Sequence, residues 1–125
     1  MDDVSFNDIL LAQRNLRGLV RRTPLEYSPL LSQQTGCKLY LMLENWQKTG
    51  SFKIRGATNK VASLSDEERA RGLVAASSGN HGLGVLFAAQ VFGGLEATIF
   101  VPQTTPHGKV ERLCRRDISE RGRGP

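Results

Sequence analysis

Lys53 is the residue of this sequence whose type and position point most directly to chemistry. It lies in the segment T-G-S-F-K-I-R-G-A, residues 49–57, where Ser51 is placed to cap a helix. The dipole at the start of a helix disfavours positive charge, which suits an amine that must act as a neutral nucleophile and form a Schiff base. Phe52 places an aromatic ring beside it. The alternative is a solvated surface lysine, which is the commoner case near a helix start.

A second segment, A-A-S-S-G-N-H-G at residues 75–82, has the composition of an anion-binding turn. A strand that runs through such a turn into a helix leaves backbone N–H groups and the hydroxyls of Ser77 and Ser78 free to hold a carboxylate or phosphate. The alternative is a plain strand-to-helix turn capped by Ser or Asn. His81 has no carboxylate near it in the sequence, which favours a structural histidine over a catalytic one.

Several other kinds of site are not indicated. The motifs G-x-x-x-x-G-K-S, G-x-G-x-x-G and G-x-S-x-G are absent. Cys37 and Cys114 lack the spacing of metal ligands, so we expect no metal site and no disulfide, but two reduced thiols, one or both packed as small hydrophobes. Much of the net charge of +5 comes from arginines near the C-terminus, and no aromatic residues alternate with a basic stripe, so no nucleic-acid partner is expected.

The composition also bounds the class of protein. Its 39% hydrophobic and 23% charged residues are the balance of a globular chain, and 125 residues suit one ordinary domain. No run approaches the roughly 18 apolar residues of a membrane helix. Asp2 and Asp3 stand where a secretory signal would carry positive charge. The sequence therefore predicts a cytoplasmic protein with no membrane partner.

Hydrophobic periodicity and capping residues predict the elements that must position the two segments. In the first part of the chain we expect a helix capped by Ser5 that runs up to Arg21 and Arg22, an extended segment after Thr23 and Pro24, a helix from Ser28 to Gly36 and a buried strand over 38–43. Next come a helix capped by Ser51 and running through Val61 and a short helix between Ser65 and Gly72. The last part has a strand over 73–76, a helix over 83–91, a strand over 97–101 and a helix beginning at Pro106. The strand–helix–strand order over 73–101 favours an α/β fold with a parallel sheet.

Taken together, the motifs resemble the threonine/serine dehydratase and serine racemase family of fold-type II enzymes, which depend on pyridoxal phosphate. The resemblance rests on R-T-P-L at 22–25, E-N and Gln47 at 44–47, the lysine segment at 49–57, S-S-G-N-H-G at 77–82, and the stretch from V-P to P-H-G-K-V at 101–110. It implies an α/β, parallel-sheet fold of which this chain is a truncated part. Residues 1–55 would begin the large cofactor domain, residues 56–113 would form an incomplete small α/β domain, and residues 114–125 would be an aberrant or disordered tail.

The resemblance also implies roles for single residues. Lys53 would carry the cofactor as a Schiff base and serve as base on one face of the substrate's α-carbon. Phe52 would pack against the pyridine ring, and Asn80 would hydrogen-bond the ring hydroxyl. The loop that grips the substrate carboxylate would consist of Ser77, Ser78, Gly79, Asn80 and His81. Ser78 would be the acid or base on the opposite face if the enzyme racemises its substrate.

The implied reaction is that of an ammonia-lyase, which converts L-threonine or L-serine to ammonia and a 2-oxo acid. Ile54 follows the lysine where cysteine synthase-like relatives place Asp, and this favours the dehydratase branch. Serine racemase is the alternative within the family, and a non-catalytic remnant is the alternative outside it. The parent enzyme would be a homo-oligomer that acts on a small hydroxyamino acid.

Length is the main departure from the family, whose members are more than twice as long. Their glycine-rich cup for the cofactor phosphate lies further along the chain than this sequence extends. We therefore expect a chain of 125 residues to bind the cofactor weakly, to show no useful turnover, and to expose apolar sheet edges that promote aggregation.

Overall fold

The computed structural model describes residues 3–115, which contain six α-helices, one 3-10 turn and four short strands. In chain order they are α1 (Phe6–Asn15), β1 (Leu25–Tyr27), α2 (Pro29–Thr35), β2 (Tyr40–Met42), the 3-10 turn (Glu44–Trp46), α3 (Lys53–Ala62), α4 (Asp66–Ala70), β3 (Leu73–Ala76), α5 (Asn80–Val91), β4 (Ala97–Phe100) and α6 (His107–Cys114). Each predicted helix and strand has a counterpart in this order, and β1 occupies the segment that was predicted only as extended.

The strands form two separate pairs. β3 and β4 are parallel, with Leu73 opposite Ala97 and Ala76 opposite Phe100, and α5 lies between them in the chain. This confirms the predicted β-α-β unit. β1 and β2 are antiparallel, and all six of their residues are exposed. The prediction of a buried strand over 38–43 is therefore wrong in length and burial, because the paired segment is only Tyr40–Met42 and both faces of the pair are open.

The core lies between α3 and α5. Ile54 and Phe87 are fully or almost fully buried, and the partly buried Val20 and Leu86 pack against them. α5 is apolar on nearly all sides, since seven of its twelve residues are buried. A helix of this kind is covered by neighbours all round rather than on one stripe. The packing of α3 on α5 therefore fixes the part of the fold that carries both chemical segments.

Side-chain caps mark the start of three of the six described helices, and a glycine ends one of them. Ser5 forms a capping box with Asp8, Ser65 forms one with Glu68, and Gly36 ends α2 in the left-handed region at φ 72°. The expected end of α1 is wrong. α1 ends at Asn15 rather than at Arg21, because the chain then turns through Gly18 at φ 76°.

The start of α5 and the cap of α3 also differ from expectation. α5 begins at Asn80, three residues before the predicted Leu83. Ser51 does not cap α3, because Phe52 is the residue at the cap position and the Ser51 hydroxyl is buried without a hydrogen-bond partner in the described part of the chain. The predicted domain boundary between residues 55 and 56 falls inside α3.

Three further features complete the description. Cys37 and Cys114 are free thiols, and both are exposed rather than packed as small hydrophobes. None of the helices within residues 3–115 has the length and apolar character needed to cross a bilayer. The predicted tail over 114–125 lies, apart from the end of α6 and Arg115, outside the described residues.

Candidate active site

Lys53 is the first residue of α3, and its side chain is exposed. The ammonium nitrogen lies 5.2 Å from the centroid of the Phe52 ring, whose residue is 59% exposed. The ion pairs among the described residues join Arg55 to Glu44, Arg69 to Asp66, and Arg115 to Glu111. Lys53 takes part in none of them, so its amine is accessible beside an open aromatic face.

The loop in front of Lys53 is held rigidly. The side-chain amide of Gln47, only 2% exposed, accepts a hydrogen bond from the Arg21 N–H at 3.1 Å and donates one to the Arg21 carbonyl at 2.7 Å. The Gly50 N–H donates to the Gln47 carbonyl at 2.8 Å, and Gly50 adopts φ 75°, a conformation that favours glycine. Thr49 is buried. The chain therefore reaches Lys53 through a fixed turn rather than a free loop.

An ion pair anchors the start of α3. Arg55 donates from Nε and Nη2 to the two carboxylate oxygens of Glu44, at 2.9 and 2.7 Å. Thr23 donates its hydroxyl to the same carboxylate at 2.5 Å. The hydrogen bonds from Arg55 lower the pKa of Glu44, against the effect of burial, and the same contact raises the pKa of Arg55. Because Arg55 is two residues beyond Lys53, the pair fixes the helix turn that carries the amine.

The turn at 77–82 is organised by one hydroxyl. Ser77 Oγ accepts hydrogen bonds from the N–H groups of Gly79, at 3.3 Å, and Gly82, at 3.1 Å. The first N–H groups of a helix have no partner inside it, and no described residue accepts from those of Asn80 and His81 at the start of α5. Both of these residues are exposed. The turn thus presents N–H donors at the positive end of a twelve-residue helix, which is suited to an anion.

The two segments meet through a glycine of α5. A Cβ placed on Gly84 would lie 3.0 Å from the Lys53 carbonyl oxygen and 3.3 Å from the Ala57 side chain. Asn80 precedes Gly84 by four residues and so lies on the same face of α5, about 6 Å along its axis. The contact at Gly84 therefore joins the start of α3, which carries Lys53, to the first turns of α5, which follow the turn at 77–82.

The predicted site residues divide into three groups. Lys53 and Phe52 lie at the start of α3, Asn80 and His81 at the start of α5, and Ser77, Ser78 and Gly79 in the half-buried turn before it. Sequence reasoning gave no role to Gln47, Glu44 or Arg55 in holding the lysine. The sequence signal that could have predicted the ion pair was Arg55, two residues after the lysine, together with the acidic residue Glu44 earlier in the chain. No group of three or more His, Cys, Asp or Glu side chains converges within residues 3–115.

Comparison with known proteins gives one consistent family. Residues 16–115 match the family described as pyridoxal-phosphate dependent enzyme. The chain is 56% identical over 109 residues to an L-threonine ammonia-lyase of Thermotoga maritima, covering 87% of this chain and 27% of that protein. It is 50% identical over 107 residues to a catabolic L-threonine dehydratase of Staphylococcus aureus strain N315, covering 85% of this chain and 31% of that protein.

A solved structure matches as well. The structure of maize serine racemase superposes with a TM-score of 0.83 at 38% sequence identity, covering 91% of this chain and 34% of that one. The chain therefore spans about a third of the length of the proteins that it resembles. The fold of the described residues is that of the corresponding part of these enzymes.

Proposed function

This chain belongs to the family of pyridoxal-phosphate dependent enzymes, and on that basis we propose that it is the N-terminal part of a threonine ammonia-lyase. The proposed reaction releases ammonia from L-threonine, or from L-serine, and leaves a 2-oxo acid. The relatives named for threonine, at 56% and 50% identity, support this reading over the racemase, at 38%.

One observation carries the proposal. Lys53 is an exposed amine free of any described ion pair, it lies beside the Phe52 ring, and its backbone packs on the helix whose first residue is Asn80. A surface lysine with no function needs neither a rigid turn before it nor a glycine opposite it. The arrangement supports the proposal of an amine held in one place for a covalent partner.

The donor set fits the reactive half of pyridoxal phosphate. A primary amine suits the aldehyde, the exposed Phe52 ring suits a face of the pyridine, and the exposed Asn80 amide suits the ring hydroxyl. The unpaired N–H groups of Asn80 and His81 suit a carboxylate. Bound pyridoxal phosphate supplies an aldehyde that condenses with amines and a ring that delocalises the electron pair left when an α-proton departs.

The roles of the chain's own residues follow from these positions. We assign to Lys53 the covalent attachment of the cofactor and the movement of the proton at the substrate's α-carbon. Phe52 and Asn80 orient the ring. The turn of Ser77, Ser78, Gly79, Asn80 and His81 holds the substrate carboxylate. The β-hydroxyl leaves as water, and water re-enters when ammonia is released, so the products are ammonia and the 2-oxo acid.

Serine racemase is the second candidate, and the TM-score of 0.83 supports it. In that case Ser78, half-buried in the turn before α5, would exchange the α-proton on the face opposite Lys53. The β-hydroxyl would stay in place. Chiral analysis of serine incubated with a full-length parent, and with its Ser78→Ala variant, separates the two reactions, because only racemisation needs a second acid or base.

Borohydride trapping tests the proposal on this chain. The chain is incubated with pyridoxal phosphate and reduced, and the labelled peptides are then located by mass spectrometry. We expect the pyridoxyl group on Lys53 in preference to the other lysines, and its loss in Lys53→Ala. Lys60→Ala is the matched control, because Lys60 is an exposed lysine on the same helix. Labelling spread evenly over the surface lysines would instead favour a non-catalytic remnant.

Three further assignments remain proposals. We propose that residues 1–55 and 56–113 belong to the large and small domains of the parent enzyme. We propose that the parent is a homo-oligomer. The two free thiols support the proposal of a cytoplasmic protein, since disulfides are rare in that compartment.

A further inference from the structure

α6 contacts residues 47–52, the loop before Lys53, which we call the lysine loop. Arg112 donates a hydrogen bond from Nη2 to the Thr49 carbonyl at 3.3 Å, across 63 residues of sequence. The same nitrogen lies 3.4 Å from the position that a Cβ on Gly50 would occupy. The guanidinium therefore brings a charged donor to a backbone carbonyl between α6 and the loop.

The next residue of α6 contacts the other segment of the site. Leu113 Cδ2 lies 3.0 Å from the position of a Cβ on Gly82, the third residue of α5. Gly82 is also the residue whose N–H is held by Ser77. Consecutive residues of a helix point about 100° apart, so Arg112 and Leu113 can reach two different neighbours. One turn of α6 therefore contacts both the loop before Lys53 and the anion-binding turn.

The other contacts of the lysine loop come from the part of the chain before it, from within it, and from α5, where Lys48 Nζ lies 5.3 Å from the centroid of the Phe87 ring. Gln47 is bound to Arg21, and Gly50 donates to the Gln47 carbonyl. The hydrogen bonds in this set fix the shape of the loop, and the contact of Lys48 with Phe87 ties it to the middle of α5 rather than to the turn at 77–82 itself. The hydrogen bond from Arg112 joins the loop to the helix that also packs on that turn.

We propose that α6 is a brace, a helix that holds the lysine loop and the turn at 77–82 in fixed relative positions. In this proposal Arg112 is a positioning residue for the Lys53 amine. The inference rests on the proposed function of Lys53. Arg112 touches neither substrate nor cofactor in this proposal. It acts by holding the Thr49 carbonyl, four residues before the lysine, while Leu113 supports the start of α5.

The test uses the 125-residue chain with pyridoxal phosphate and borohydride as probes. Removal of the donor in Arg112→Met should lower the ratio of labelling at Lys53 to labelling at Lys60 by about twofold to tenfold. The amide hydrogen of Gly50, bound to Gln47, should exchange faster by a similar factor. Arg112→Lys keeps a cationic donor and should restore much of both. Lys109→Met, a change of an exposed charge on the same helix, should alter neither.

A wild-type labelling ratio together with a wild-type Gly50 exchange rate in Arg112→Met would overturn the proposal. Far-UV circular dichroism establishes that the variant is folded. If Arg112→Met does not fold, Arg112→Gln replaces it, because the glutamine side chain is too short to reach Thr49. The labelling ratio and the Gly50 exchange rate of that variant are then measured in the same way. If the wild-type chain itself shows no preference for Lys53, the proposed function fails, and the Gly50 exchange rate still decides whether α6 braces the loop.

Discussion

Gly84 of α5 lies so close to the backbone of Lys53 that a Cβ on it would stand 3.0 Å from the Lys53 carbonyl oxygen and 3.1 Å from the carbonyl carbon. Neither atom belongs to a flexible side chain that could move aside. The start of α3, with the proposed catalytic amine, therefore packs on α5 so closely that a Cβ at residue 84 would require the Lys53 backbone to shift.

We expect Gly84→Ala to weaken both the fold and the site. The added methyl group forces α3 away from α5 at a cost of about 1–3 kcal/mol. The better helix propensity of alanine offsets at most about 1 kcal/mol of this. Urea denaturation followed by circular dichroism measures the net loss. Gly56→Ala is the matched control, because Gly56 lies within α3 with no atom near its Cβ position, and it should be neutral or stabilising. Equal stability of the two variants would contradict the close contact.

Glu44→Gln should lower the free energy of unfolding by about 2 kcal/mol at neutral pH, because it removes the charge that holds Arg55. The pKa of Glu44 is lowered in the folded chain, so its contribution is complete above the ordinary value of 4.5 and is lost as the pH falls through the lower folded value. The difference between variant and wild type should therefore shrink below about pH 4.5. The measurement is the urea midpoint of both proteins at a series of pH values from neutral to acid, which gives this difference at each pH. Glu26→Gln, on the exposed strand β1 and outside the Glu44–Arg55 pair, is the control and should change the free energy of unfolding at neutral pH by less than about 0.5 kcal/mol.

Ser77→Ala should cost about 1 kcal/mol, as expected when a hydroxyl that caps the start of a helix is removed. The variant leaves the N–H groups of Gly79 and Gly82 without their acceptor, so both amide hydrogens should exchange faster. Ser78→Ala is the comparison, since no hydrogen bond of the Ser78 side chain is present among the described residues. A larger loss of stability in Ser78→Ala than in Ser77→Ala would refute the capping role.

Gln47→Leu should destabilise the chain by about 2–3 kcal/mol, although it exchanges a polar side chain for an apolar one. The buried amide satisfies both the N–H and the carbonyl of Arg21, and leucine leaves the N–H without an acceptor. Thermal denaturation and hydrogen exchange of the Arg21 amide measure the effect. Gln34→Leu, on the exposed side of α2, is the control and should change stability by less than about 0.5 kcal/mol. An unchanged Arg21 amide in Gln47→Leu would argue against the pairing.

Local sequence signals predicted much of the fold because they act over a few residues. The caps at Ser5, Ser28 and Ser65 and the glycine at 36 formed as expected, since each joins groups no more than four positions apart. The parallel pairing of β3 with β4 also followed from the strand–helix–strand order. The failed cap at Ser51 shows the limit, because its residue is buried and the tertiary packing places Phe52 at the cap position instead.

By itself, the sequence determined the family and the order of the elements, because motifs and periodicity are written in neighbouring residues; the roles of the lysine segment and of the turn at 77–82 stay predictions. Three contacts were decided by the tertiary structure alone. Gly84 packs against the Lys53 backbone. The Gln47 side chain hydrogen-bonds the Arg21 backbone, and the Arg112 side chain donates to the Thr49 carbonyl. The two hydrogen bonds join residues that are 26 and 63 positions apart in the sequence. Their partners are chosen by how helices pack in space, which no local pattern of residue types specifies.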